Sequence, residues 1–153
     1  MSYTIESCKR GFYWIGYSGT VTMDLRLKAL RDVETASTHV PIRGNIIDFR
    51  GSNLLCSFTE QFEFAAKATG QPGHRGRKAA YLVNDMHDAS VEILELAMSN
   101  RGIDTKLFTD ELQAIKWLTD DCFQSCKGFA AGRCALTNIN ELRFSQSISK
   151  PQG

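Results

Sequence analysis

The stretch 44–53, Gly-Asn-Ile-Ile-Asp-Phe-Arg-Gly-Ser-Asn, constrains this chain more than any other. A short apolar run that breaks at once into Asp48, Arg50, Gly51 and Ser52 has the pattern of a buried strand delivering a polar loop to the rim of a sheet. The flanking sequence supplies the partners such a strand needs. Residues 3–7 and 12–18 are rich in aromatic and β-branched side chains and are joined by a polar link, which predicts a hairpin. In the second of these strands Phe12, Trp14 and Gly16 share one side while Tyr13, Ile15 and Tyr17 share the other. Bulk on both sides fits a strand covered on both faces. Met23, Leu27, Leu30 and Val33 then recur at helical spacing, predicting a helix over 22–36. Pro41 breaks the pattern before the chain returns to the sheet at 45–49, and strand, helix and strand in succession imply a crossover to a parallel neighbour.

Beyond the polar loop, Ser57-Phe58-Thr59-Glu60 is a capping box, in which hydroxyl and carboxylate satisfy free N–H groups at a helix start. Periodicity puts Phe58, Phe62, Ala65, Ala66 and Thr69 on the inner face of that helix and leaves Phe64 off it, a position that fits a contact surface, set against the favoured reading of the aromatic residues as core packing; Gly70 is placed to stop the helix. A basic loop precedes a strand over 79–83, which ends in the polar cluster Asn84-Asp85-Met86-His87-Asp88. Asp88 is the expected cap of a third helix lined by Val91, Leu94 and Met98, with Ile93 and Ala97 beside them and Gly102 after it. A last strand over 105–108 leads to Thr109 as the cap of a helix over 110–118.

The expected class is therefore α/β, a mixed, mostly parallel sheet of four to five strands with an N-terminal hairpin and about four flanking helices. Residues 1–120 read as one domain and residues 121–153 as a C-terminal extension to which no regular structure is assigned, although Cys122, Phe123 and Cys126 are compatible with a last helix prolonged to Gly128. At 153 residues, 42% hydrophobic and 23% charged, the chain is large enough to bury a core without staples. A net charge of +1 gives no general attraction to nucleic acid or anionic membrane. Cys8, Cys56, Cys122, Cys126 and Cys134 are odd in number and include no C-x-x-C pair, which points to reduced thiols, no metal site and a cytoplasmic protein. Residues 1–10 lack the apolar core of a signal peptide, and no run approaches the ~18 apolar residues of a membrane span.

In open parallel sheets ligands bind beyond the carboxyl ends of the strands. The loops there contribute Arg50 and Ser52, then Asn84, Asp85 and His87, then Thr109 and Asp110, ahead of helix N-termini that favour anions. Of these, Arg50, Ser52, Asn84, Asp85 and His87 define a candidate polar or anion site, set against the plainer reading of turns and caps. No Gly-x-Ser-x-Gly elbow, Lys-Ser/Thr phosphate loop or H-E-x-x-H spacing is present, so neither catalysis nor a cofactor is expected. The one dense positive cluster, His74, Arg75, Arg77 and Lys78 with Lys67 before it, precedes its strand and lies at the opposite rim. It lacks interleaved aromatic residues for base stacking and reads as a solvated loop rather than a nucleic-acid surface.

Three segments, in their order, carry a family resemblance: Tyr17-Ser18-Gly19-Thr20-Val21-Thr22, Ile46-Ile47-Asp48-Phe49-Arg50-Gly51-Ser52, and the run from Phe108 to Leu118. Together they resemble the STAS-like family, whose relatives are similar to the anti-sigma-factor antagonists of bacterial sporulation and to lipid-carrying CRAL-TRIO domains. The resemblance covers about residues 3–120. It implies a non-catalytic regulatory or binding module acting through a protein partner or a homo-oligomer; the alternative it implies is a carrier or sensor of a small apolar or lipid-like ligand. The antagonists carry a phosphorylated Ser or Thr in an Asp-Ser-Ser/Thr-Gly-like setting. Here Asp48-Phe49-Arg50-Gly51-Ser52-Asn53 stands in its place, leaving Ser52 and Ser57 as the candidate phospho-acceptors the resemblance implies.

Overall fold

The computed structural model describes residues 2–8, 11–37, 43–70, 77–119 and 146–150. Strands β1 (Ser2–Cys8), β2 (Phe12–Val21), β3 (Gly44–Asp48), β4 (Ser52–Leu54), β5 (Lys78–Leu82), β6 (Asp104–Phe108) and β7 (Gln146–Lys150) alternate with helices α1 (Met23–Ser37), α2 (Phe58–Thr69), α3 (Ala89–Asn100) and α4 (Glu111–Leu118). The sheet runs β6-β5-β3-β2-β1-β7, with β4 alongside β2. The β1–β2 hairpin is antiparallel, and β2–β3, β3–β5 and β5–β6 are parallel. This is the anticipated α/β architecture, but the sheet is wider than four to five strands. The added strands are β7, which pairs with β1 antiparallel, and β4, which lies within the stretch read as a polar loop.

The short strand β4 has a physical origin in the register. Along β3 the partner of Gly44 is Phe12 and that of Asp48 is Gly16, whereas Ser52 pairs with Gly19, so one extra residue enters between Asp48 and Ser52. Such an insertion leaves a residue unpaired and re-aims the neighbouring side chains. Here it makes the Phe49–Ser52 turn, closed by Ser52 N–H donating to the Phe49 carbonyl at 3.0 Å, from which Arg50 projects.

Alternation along β2 sends side chains into two separate cores. Tyr13, Ile15 and Tyr17 join Leu25, Ala29, Leu30 and Val33 of α1, Phe64, Ala65 and Ala68 of α2, and Leu94, Ala97 and Met98 of α3. Phe12 and Trp14 face the other way, with Ile46, Ala80, Leu82, Phe108 and the Ala114, Ile115 and Leu118 side of α4. Helix α2 is rotated from the face its periodicity suggests. Gln61, Phe64, Ala65 and Ala68 are buried, whereas Phe58 is 52% and Phe62 39% exposed. Phe64 is thus a core residue and not a surface mark: the Arg26 guanidinium lies 3.9 Å from the centre of its ring, and the small Ala65 and Ala68 let the helix approach on that side.

The helix ends follow local chemistry. The Ser57 hydroxyl accepts from Glu60 N–H at 3.1 Å, and the Glu60 carboxylate accepts from Ser57 N–H at 2.9 Å, completing the capping box. Asp88 caps α3 through Ser90 N–H. The cap of α4 is Asp110, whose carboxylate accepts from Leu112 N–H, and not Thr109: the helix starts one residue later than its acidic first turn suggests. Helix α3 ends with Gly102 at φ 82°, Gly102 N–H donating to Ser99 and Ile103 N–H to Met98. That positive φ suits glycine and lets Ile103 fold back onto the core. The link through Lys9 and Arg10, the break at Pro41, the basic residues His74 and Arg75, and Cys122, Phe123, Cys126, Gly128 and Cys134 lie outside the described residues.

Two outcomes follow from this packing. A Cβ on Gly44 would stand 2.5 Å from the Lys78 carbonyl oxygen and 2.9 Å from Leu118 Cδ2, so Gly44→Ala should cost about 1–3 kcal/mol in urea unfolding by forcing β3 and β5 apart. All four tyrosines are buried with their hydroxyls pushed upward, first by desolvation; for Tyr3, which also donates to Asp32 at 2.6 Å, the pKa rises to about 12. An unfolded tyrosine ionises near ~10. Stability from these groups is therefore complete below about pH 10 and falls as pH rises toward 12 and beyond, by ~1.4 kcal/mol per pH unit for each tyrosine still protonated in the fold. Absorbance at about 295 nm should show tyrosine ionisation coinciding with loss of circular dichroism, rather than preceding it.

Candidate functional site

Three loops meet beyond the carboxyl ends of β3, β5 and β6. Phe49 N–H donates to Leu82 and Val83 N–H to Phe108, both at 2.9 Å, so the ladders hold the loop origins level. Arg50 turns back on its own strand: Nε donates to Asp48 Oδ1 at 3.0 Å and Nη2 to Asp48 Oδ2 at 2.9 Å, while Nη2 also meets the Glu111 carboxylate at the start of α4. Hydrogen bonding to Asp48 raises the guanidinium pKa, against a lowering by partial burial and with further support from Glu111. This cation is already neutralised by two carboxylates and joins β3 to α4.

The other predicted residues divide into two groups. Ser52, Asn84 and Asp85, with Phe49, Asn53, Leu54, Val83, Asp88, Ser90 and Val91, line a groove of about 320 Å³ between β4 and the start of α3. Arg50 and His87 are not among its walls. Within it the Ser52 hydroxyl donates to the Phe49 carbonyl at 2.8 Å, and Asn84 Nδ2 donates to the Arg50 carbonyl at 2.9 Å. Asp85 accepts from His87 N–H and Asp88 from Ser90 N–H, each at 2.9 Å. With two carboxylates and no cation in its walls, the groove favours hydrogen-bond donors over anions. Of the two candidate phospho-acceptors, Ser52 is half-buried in the turn and Ser57 is exposed at its cap. Among the described residues no His, Cys, Asp and Glu cluster could hold a metal ion, and no helix is long and apolar enough to cross a membrane.

A second feature lies under the helices. Tyr3, Tyr17, Phe49 and Tyr81 form a row across the sheet with centroid separations of 6.2, 5.1 and 5.8 Å. Above it sits Arg26, 2% exposed, donating to Gln61 Oε1 at 2.7 Å and approaching Cys56 Sγ at 3.9 Å. Next to it a cavity of about 40 Å³ opens between α1 and the sheet, lined in part by Arg26, Leu30, Val33, Asn45 and Ile47. Neither Arg26 nor Gln61 was singled out by pattern. The signal was present, since Arg26 occupies the inner stripe Met23, Arg26, Leu30, Val33, where a polar residue breaks the apolar rule.

The order of strands, the crossovers and the N-terminal hairpin define a SpoIIAA-like, and hence STAS-like, α/β fold. The geometry is similar to a crystal structure of an uncharacterized protein from the DUF3478 family with a SpoIIAA-like fold, from Shewanella loihica PV-4. The two superpose with a TM-score of 0.52 over 76% of this chain and 92% of the other, at 16% sequence identity. No family model matches the chain, nor does any curated protein sequence.

Removal of Arg50 tests its bracing role. Arg50→Ala should cost about 1–3 kcal/mol, because Asp48, 10% exposed, loses a two-pronged partner and stays largely out of water. Arg50→Lys should recover less than half of that in urea unfolding, since an ammonium cannot span both carboxylate oxygens.

Proposed function

We propose that the protein is a non-catalytic, cytoplasmic regulatory or binding module that acts through contact with a protein partner. The observation that carries this reading is the run of exposed apolar side chains at Leu55, Phe58 and Phe62, 61%, 52% and 39% exposed. Phe58 and Phe62 are one helical turn apart on the outer face of α2, and Leu55 precedes them at the rim. Large apolar groups grouped in this way mark contact surfaces more often than solvated ones. The resemblance to STAS-like modules, which work by protein contacts, points the same way. A lipid carrier is less well supported, because the cavity of about 40 Å³ is far below the ~300–1,000 Å³ of pockets that enclose drug-sized ligands.

A photoreactive phenylalanine placed at 58 in the full chain, expressed in its own host, should cross-link one defined protein. The yield should fall by about ten-fold with Phe62→Ser, as expected when an anchoring aromatic is removed. The same probe at the exposed Lys28 should give no such product. Absence of a discrete product at 58, or equal products at 58 and 28, would refute the reading. The double change of Phe58 and Phe62 to Ser should alter stability by no more than about 0.5 kcal/mol per site, whereas Phe64→Ala should cost about 3–5 kcal/mol.

A further inference from the structure

The cavity beneath α1 joins a charge to two uncompleted features. Arg26 is 2% exposed, yet its contacts among the described residues are Gln61, Cys56, the Tyr81 hydroxyl and aromatic rings, with no carboxylate. Buried charges in proteins are ordinarily paired, because a guanidinium withdrawn from water loses far more solvation than neutral partners return. The neighbouring groups do not supply the missing negative charge. Burial pushes the Tyr17 and Tyr81 hydroxyls up and keeps them protonated, and the Cys56 sulfur lies at the long distance of 3.9 Å.

The same cavity is bordered by Asn45, 4% exposed, whose Oδ1 has no hydrogen-bond partner. Its third feature is Ile47, in the middle of the sheet on β3 and still only partly covered. An unfilled acceptor and an incompletely covered central isoleucine share one space with a cation that meets no carboxylate among the described residues. The volume, about 40 Å³, is several times the ~10–15 Å³ a cavity needs to hold one water and falls well short of an acyl chain.

We infer that this cavity binds a small monocarboxylate of two or three carbons, its carboxylate against the Arg26 guanidinium and its carbon end against Leu30, Val33 and Ile47. A single guanidinium matches one negative charge, and the apolar wall favours a carbon end over inorganic anions. The Asn45 carbonyl at the other end of the cavity takes a donor from a water, or from a hydroxyl on the ligand, completing its hydrogen bonding. The inference is independent of the protein-contact reading, which concerns the outer face of α2.

The test uses the full chain with sodium propionate as probe and neutral propionamide as its near-isosteric control, at constant ionic strength. Propionate should raise the thermal midpoint saturably, by about 3–6 °C at ten times its dissociation constant, and shift the Arg26 Nε–H and Asn45 side-chain NMR signals. Propionamide should do neither. Arg26→Met should abolish the response. Should that variant fail to fold, Ala29→Val, which fills the cavity and leaves the cation in place, should abolish it equally. Cys56→Ser should retain it. A response that is not saturable, that propionamide reproduces, or that persists in Ala29→Val overturns the assignment. So does loss of the response in Cys56→Ser, which would give the charge-balancing role to the thiol.

Discussion

Strand β2 is the constraint on which the rest of the structure depends. It pairs with β1 on one edge and with β3 and β4 on the other, and it buries both faces. Its odd-numbered residues Tyr13, Ile15 and Tyr17 require the helical layer of α1 to α3, and its even-numbered Phe12 and Trp14 require α4. A sheet with only one covered face would leave two of the largest side chains in the chain in water, at ~25 cal/mol for each Å² of apolar surface. The short α4 is therefore as necessary as the longer helices. Its cap at Asp110 and the Glu111–Arg50 ion pair fix its start to the strand beside β2.

Much of this was legible in the residues. Alternating bulk in β2, the capping box at Ser57 and the cap at Asp88 each carry a local physical cause, and local causes survive folding. The orientation of α2 was not legible, because periodicity ranks residues by size and apolarity. The helix instead turned its two small alanines and Phe64 inward to close over Arg26. Strand β4 escaped notice for a related reason: an inserted residue is a matter of register between two distant segments, and no window of sequence reports it. The last strand, β7, comes from a stretch whose polar composition gave little sign that it would join β1.

The rim was anticipated in position more than in chemistry. Parallel strands bring their carboxyl ends together, so Ser52, Asn84 and Asp85 were bound to be neighbours. Whether a charged group there is free or committed depends on its partners. Asp48, at the end of β3 and two residues before Arg50, and Glu111, at the start of α4, decided that question by claiming the guanidinium. The groove that remains is acidic and hydrogen-bonding.

The placement of Arg26 bears on how the molecule assembles. A buried lysine or carboxylic acid can shed its charge while a core is half built, but a guanidinium cannot. If α1 docked on the sheet alone, it would press a bare cation onto an aromatic surface. Only when α2 brings Gln61 and the Phe64 ring does that cation receive its hydrogen bond and its closest π face. Arg26 and Gln61 lie 35 residues apart, so the hydrogen bond that satisfies the guanidinium also ties α1 to α2, and the burial of each helix depends on the other.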